Sequence, residues 1–340
     1  MKRLQNYIAE SRRLLPISIA IATLVCLAGG LLWEHWWTSY ICLIVTTMII
    51  AQLNTDNALT RIYSRTISVS WLLLTVMAIP LLPSLQGGIV SLCFALFLLF
   101  AFRAYQRPDN TPTVFYAYMA WSIATVLRPG LVTFVPLFWI LLATHLQAFS
   151  GKTFVASILG LLLPWWFVGA WDVVSEYVFN EQLPIFDFQR WTSELIMSYN
   201  HSLLFTIIQW VNAGAITFDL QQLSIFNFQF SFFYVQYFFV FILFITGSIH
   251  FFRQRIHDKI QVRKLYHFFF VTGIFVLLLS ILFPLELPTL FRLLVVCTSP
   301  LIGHFFALTQ TRTTNITFIV CLLIMIALTA LSLWPNSLIF

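Results

Sequence analysis

Apolar runs close to twenty residues long, separated by short polar or Gly- and Pro-bearing breaks, recur from one end of the chain to the other. A bilayer core of about 30 Å takes roughly 20 residues of apolar helix, or about 17 at the short end. On that measure the pattern predicts eleven spans, near 14–32, 38–53, 66–82, 88–104, 113–127, 131–147, 153–171, 231–251, 266–283, 290–308 and 316–333. Helices satisfy every backbone polar group within one segment, and no alternating pattern points to a β-barrel. The predicted fold class is therefore all-α: a polytopic transmembrane helix bundle forming a single integral membrane domain over 1–340.

Residues 172–230 form the one long connection. Val174, Tyr177 and Val178 repeat at helical spacing, as do Phe188, Trp191, Leu195 and Ile196. Two short amphipathic helices on the membrane surface, parted near Pro184, would explain both patterns. Residues 203–218 are apolar but short, and they carry Gln209 and Asn212, so a re-entrant or interfacial segment is expected there.

Charge orients the bundle. Only 9% of the chain is charged and 60% is apolar, against roughly 25% charged in a soluble domain. That excludes a water-soluble enzyme, a nucleic-acid binder and a disordered chain. With the N-terminus inside, fifteen of the 18 Lys and Arg fall on the inner face, from Lys2, Arg3, Arg12 and Arg13 through Arg61 and Arg65 to the cluster Arg253–Lys264. This obeys the positive-inside rule and predicts a cytoplasmic N-terminus and a periplasmic C-terminus. The net charge of +6 is thus a topology signal and not a sign of nucleic acid. The apolar run after Arg13 is long enough to read as a retained first span rather than a cleaved signal sequence. Trp33, Trp36, Trp37, Trp165, Trp166, Trp171 and Trp334 fall at outer ends of spans, where an aromatic belt is expected.

Candidate chemistry is sparse. The five cysteines lie inside apolar spans without CxxC spacing, so they read as core residues, and no metal or other cofactor is expected. No Asp or Glu stands in the middle of a span, which weakens an ion-coupled pump. Ligand-binding candidates are Arg128, Arg190 and Arg292, the three basic residues left on the outer side. Arg128, in Leu127-Arg128-Pro129-Gly130, occupies a turn that needs no guanidinium, and a phosphate or carboxylate would engage it in paired hydrogen bonds. Snorkelling to headgroups or pairing with Glu34 is the structural alternative. Glu34, Glu194 and His201 are the candidate acid–base groups. Arg190 and Glu194, four apart, also fit a plain surface ion pair. His304 reads as a hydrogen-bonded core histidine, because no second ligand stands near it in sequence.

The stretch Leu99–Gln106, the helices meeting at Arg128, Leu163-Pro164-Trp165-Trp166, Phe283-Pro284 and Ser299–His304 resemble a family of multi-pass inner-membrane proteins of Bacteroidetes. That family carries no assigned activity; the resemblance implies location in the bacterial inner membrane. A fainter likeness is to O-antigen polymerases and ligases, which have one long periplasmic loop with arginines and a histidine. Arg128, Arg190 and His201 are similar in kind, although Asn200 precedes the histidine and the paired glycines are reduced to Gly214. Arg128 is also similar to an arginine of polyprenyl-phosphate glycosyltransferases, which need a carboxylate in a long first outer loop that this chain lacks.

Three readings stay open. The first is a membrane protein of unassigned activity serving the cell envelope, in contact with the bilayer, for which an outward-facing polar site and other membrane proteins as partners are open. The second is an enzyme or binder acting on a lipid-linked glycan or phosphate. The third is an uncoupled transporter or flippase, which predicts a polar path reaching toward the inner face.

Overall fold

The computed structural model describes residues 11, 13–62, 64–179, 228–309 and 312–333. Eleven α-helices and no strands occur among them: α1 (Leu14–Ala28), α2 (Trp37–Asn57), α3 (Thr66–Val76), α4 (Leu85–Arg103), α5 (Thr111–Leu127), α6 (Phe134–Thr144), α7 (Gly151–Phe179), α8 (Phe228–Gln254), α9 (Ile260–Leu282), α10 (Leu287–Leu308) and α11 (Arg312–Leu333). Each predicted apolar run has its helix. Seven of these helices (α2, α4, α7, α8, α9, α10 and α11) are long and apolar enough to cross a membrane. α1, α3 and the stretch Pro129–Thr144 are apolar but shorter.

Two differences from the predicted spans have local causes. The run 66–82 is not one helix. α3 stops at Val76, and a 3-10 turn follows over Ile79–Leu81, with Pro80 inside it. Proline has no N–H to give and disfavours helix before it. At the other limit, α7 continues to Phe179, so Val174, Tyr177 and Val178 extend that helix and do not start a separate surface helix. The second predicted surface helix and residues 203–218 lie outside the described residues.

Contacts group the described residues into two compact units, one drawn from 1–92, 217–276 and 291–340, the other from 93–216 and 277–290. In the second unit an aromatic core joins α4, α5 and α6: Phe97 stacks on Phe138 at 4.2 Å, and Trp121 meets Phe138 edge-on at 4.9 Å. Beside it, Gly160 of α7 lies against the α5 backbone at Phe115, and Ser122 donates to the Leu161 carbonyl at 2.5 Å.

In the first unit the broken end of α3 is a tie point. A helix end leaves carbonyls without partners. The Met77 carbonyl accepts from Gln236 Nε2 of α8 at 2.9 Å and from Ser332 Oγ of α11 at 3.1 Å. The Leu81 carbonyl accepts from Arg292 Nη2 of α10. α10 is the most enclosed helix, with 94% of its apolar stretch buried, whereas α11 has 11%. Large apolar side chains such as Leu24, Ile281 and Leu323 are more than half exposed. Continuous apolar exteriors of this kind suit contact with lipid and not with water.

Candidate functional site

The polar centre of the first unit was not visible as a motif, because its parts are far apart in sequence. Three of them meet. Arg61 Nε donates to Asp258 Oδ1 at 2.8 Å, and Arg61 Nη2 donates to the Gln254 carbonyl at 3.4 Å. His304 Nε2 stands 3.3 Å from Asp258 Oδ2. The His304 and Asp258 side chains are 0% and 1% exposed, while Arg61 is 38% exposed. Asp258 is therefore enclosed, with the arginine reaching it from a wetter position.

Local structure explains the meeting. α8 ends in a 3-10 turn over Arg255–His257, which leaves Asp258 extended at the N-terminal end of α9. Arg61 lies in the connection 58–65. That connection starts at Ala58, whose φ of 45° turns the chain sharply out of α2. Asn54 Nδ2 holds it by donating to the Ser64 carbonyl at 2.8 Å, and Tyr266 of α9 donates from its hydroxyl to the Leu59 carbonyl at 3.3 Å. His304 is set by α10. Thr66 Oγ1 donates to the Gly303 carbonyl at 3.1 Å, and Gly303 packs directly on the Ile67 backbone. Pro300, one turn earlier, cannot donate to the Val296 carbonyl; Ser299 Oγ does so at 3.1 Å.

A wall of rings surrounds His304. His250 of α8 is 5.6 Å away between ring centroids, and Tyr266 presents an edge-on ring at 4.9 Å. His304 Nε2 and Asp258 Oδ2 partner each other across 3.3 Å. The other ring nitrogen of His304, Nδ1, and His250 Nε2 are buried with no hydrogen-bond partner. A buried polar atom left so is costly, about 1–3 kcal/mol each.

Burial alone would push the Asp258 carboxyl up. Contact with His304 and Arg61, and then the charges of both, outweigh it and hold the group below its ordinary value. The arrangement is an anion clamped between a fixed cation and a titratable ring. Among the described residues no group of three or more His, Cys, Asp or Glu could hold a metal ion.

The predicted candidates are placed as follows. Arg292 is 7% exposed and donates to the Leu81 carbonyl, with its guanidinium where a Cβ on Gly87 would stand. It secures the broken end of α3. Arg128 is half-buried at the C-terminal end of α5; its N–H donates to the Ala124 carbonyl at 2.9 Å, and its Nε is buried without a hydrogen-bond partner. Gly130 follows it, facing Glu286 Cγ. Glu34 is exposed, and its N–H donates to the Gly30 carbonyl at 2.8 Å. Arg190, Glu194 and His201 lie outside the described residues. Of the tryptophans, Trp33 and Trp166 are 84% and 74% exposed, but Trp36 is packed inside at 5%.

A separate cleft of about 570 Å³ opens in the first unit between Leu15, Pro16 and Met48 on one side and Thr55, Asp56 and Arg65 on the other.

From the sequence His304 reads only as a core histidine, and Asp258 is not singled out at all. One signal existed: Asp258 is the sole acid among Arg253, Arg255, Lys259, Arg263 and Lys264. An acid inside a basic connection reads as solvated and neutralised, and only packing against α10 gives it another role. No protein-family model, curated protein or solved structure matches the chain.

Proposed function

We propose that the chain is a multi-pass protein of the bacterial cytoplasmic membrane, N-terminus cytoplasmic and C-terminus periplasmic, that works as a transporter or flippase-type translocator serving the cell envelope. The observation that carries this reading is the enclosed Asp258–His304 contact with Arg61. Ionisable groups facing the interior of a membrane helix bundle are expensive, and they mark substrate, ion or proton paths. With the proposed orientation, Arg61 and Asp258, in connections between helices, and His304, near the end of α10, would stand at the inner end of such a path. α10, enclosed and carrying Pro300 inside it, is the helix whose movement would open that path.

Native Cys297 is the reporter. It is fully buried and stands seven residues before His304, about 10 Å along the same face of α10. Full-length protein in lipid vesicles, treated with a membrane-impermeant methanethiosulfonate reagent, is expected to be modified slowly at Cys297, with Cys297→Ser as the control. No modification of Cys297 from either side, over hours, would overturn translocation in favour of a statically packed membrane subunit.

A further inference from the structure

We propose that the cleft between α1 and α2 binds one phospholipid with a zwitterionic amine headgroup of the phosphatidylethanolamine kind, Arg65 taking its phosphate and Asp56 its ammonium. The proposal goes beyond the translocation reading and does not rest on it, because a lipid can be held here whether or not anything crosses the bundle.

The helices themselves make the cleft. α1 and α2 both pack on α3. They are tied to each other where Thr23 Oγ1 and Tyr40 Oη share a hydrogen bond at 2.7 Å. Eight residues further along each helix, about 12 Å away, Leu15 and Met48 stand on opposite sides of the opening. The volume of about 570 Å³ is within the range of small-molecule sites, roughly 300–1,000 Å³.

Its wall changes character along its length. Leu15, Pro16 and Met48 are apolar, whereas Thr55, Asp56 and Arg65 supply a hydroxyl and both signs of charge. Arg65 is half-buried and the end of its side chain is fixed on α2: Nη1 donates to Thr55 Oγ1 at 3.1 Å and to the Ala51 carbonyl at 3.3 Å. A guanidinium held in one plane suits a phosphate, which accepts paired hydrogen bonds from it. Asp56 is exposed beside Thr55. A carboxylate in the same cleft repels a purely anionic headgroup and attracts an ammonium. One charge of each sign therefore matches a headgroup that carries one of each.

The apolar end argues for a lipid over a soluble phosphoamine. Ile41, Val45 and Met48 recur at four- and three-residue spacing, which puts them on one face of α2. They are 58%, 41% and 49% exposed. That face leads from the cleft back toward Tyr40, so an acyl chain can lie along it while the headgroup stays at the charged end. In the proposed orientation the charged end stands at the cytoplasmic surface, level with the headgroups of the inner leaflet.

The test uses the full chain in detergent, stripped of lipid and titrated with phosphatidylethanolamine or phosphatidylglycerol of identical chains. Native mass spectrometry counts the bound lipids. Wild type is expected to hold one phosphatidylethanolamine about threefold or more tighter than phosphatidylglycerol, the size of an exposed ion pair. Asp56→Asn should bring that ratio to about one, and Arg65→Gln should weaken both lipids by about threefold or more. Equal binding by wild type, a ratio unmoved in Asp56→Asn or unchanged binding in Arg65→Gln would overturn the proposal and leave only unselective lipid contact. Tighter binding of phosphatidylglycerol would overturn it too, since Asp56 then takes no part. A second measurement needs no variant and so is safe from one that fails to fold. Glycerophosphoethanolamine, the same headgroup without chains, should not displace the bound lipid even in large excess. Displacement would overturn a lipid as the occupant and assign the cleft to a soluble phosphoamine. Cys297 modification is read separately: loss of lipid selectivity leaves translocation standing, and an inert Cys297 leaves the lipid site standing.

Discussion

At Gly303 a hydrogen in place of a side chain decides how close α10 can come to α3. A Cβ there would stand 2.8 Å from Ile67 Cα and 2.9 Å from Ile67 N. Those are backbone atoms and cannot swing aside, so Gly303→Ala must push the helices apart, at a cost of about 1–3 kcal/mol. Gly151, at the start of α7, has nothing within 4 Å of the same position, and Ala there should be neutral or stabilising by up to about 1 kcal/mol. Thermal unfolding of the two variants in detergent measures the contrast; equal shifts would show that the close approach carries no energy. The same scale shows what packing adds to a residue's sequence character. Arg292 has the look of a free outer charge, but the break at Pro80 leaves a carbonyl that the guanidinium fills. Trp36 belongs to a run of interfacial aromatics, yet it is the member that turns inward.

Among elements, the connection between α8 and α9 departs furthest from its sequence character. It is basic and short, which predicts a solvated loop, but Asp258 draws it against α10 and toward the connection 58–65. This coupling has a pH signature. The carboxyl is held below its ordinary value in the folded protein. The stability it contributes is therefore present above about pH 4, the unfolded value, and is lost as pH falls through the lower folded value. Wild type should unfold at higher temperature than Asp258→Asn near neutral pH, and that margin should shrink as the pH is taken below about 4. A margin constant down to the lowest pH would mean that Asp258 is not ionised in the fold. Helix limits were legible within a turn for most elements, since apolar length is a local property. They shifted at Pro80, where the backbone has no donor, and after Trp171, where α7 runs on through eight more residues.

For the whole molecule, the paired contact of Arg61 with Asp258 puts two basic connections of the first unit at one end of it. In the proposed orientation, which rests on the positive-inside rule, both would face the cytoplasm. Reporter fusions test that orientation. A fluorescent protein fused within 145–150 or within 255–259 should fold and fluoresce inside the cell. A phosphatase fused at Gly130 or near Pro284 should be active only if exported. The opposite pattern at these four sites would invert the orientation and move the Asp258–His304 site to the outer face.

Composition and period determined the class of this protein, because a chain so poor in charge can bury its apolar runs only as helices in lipid or against each other. The same linear pattern was enough to place the helices, since apolar length along the chain is what they depend on. It could not show that Asp258 is enclosed, that Arg292 holds a carbonyl or that His304 faces His250. Those facts depend on which helices pack together. Residues separated by 46 positions (Asp258 and His304) or by 197 (Arg61 and Asp258) come within reach only when the connections close on α10. A buried charge is defined by what surrounds it, and only the tertiary structure supplies the surroundings.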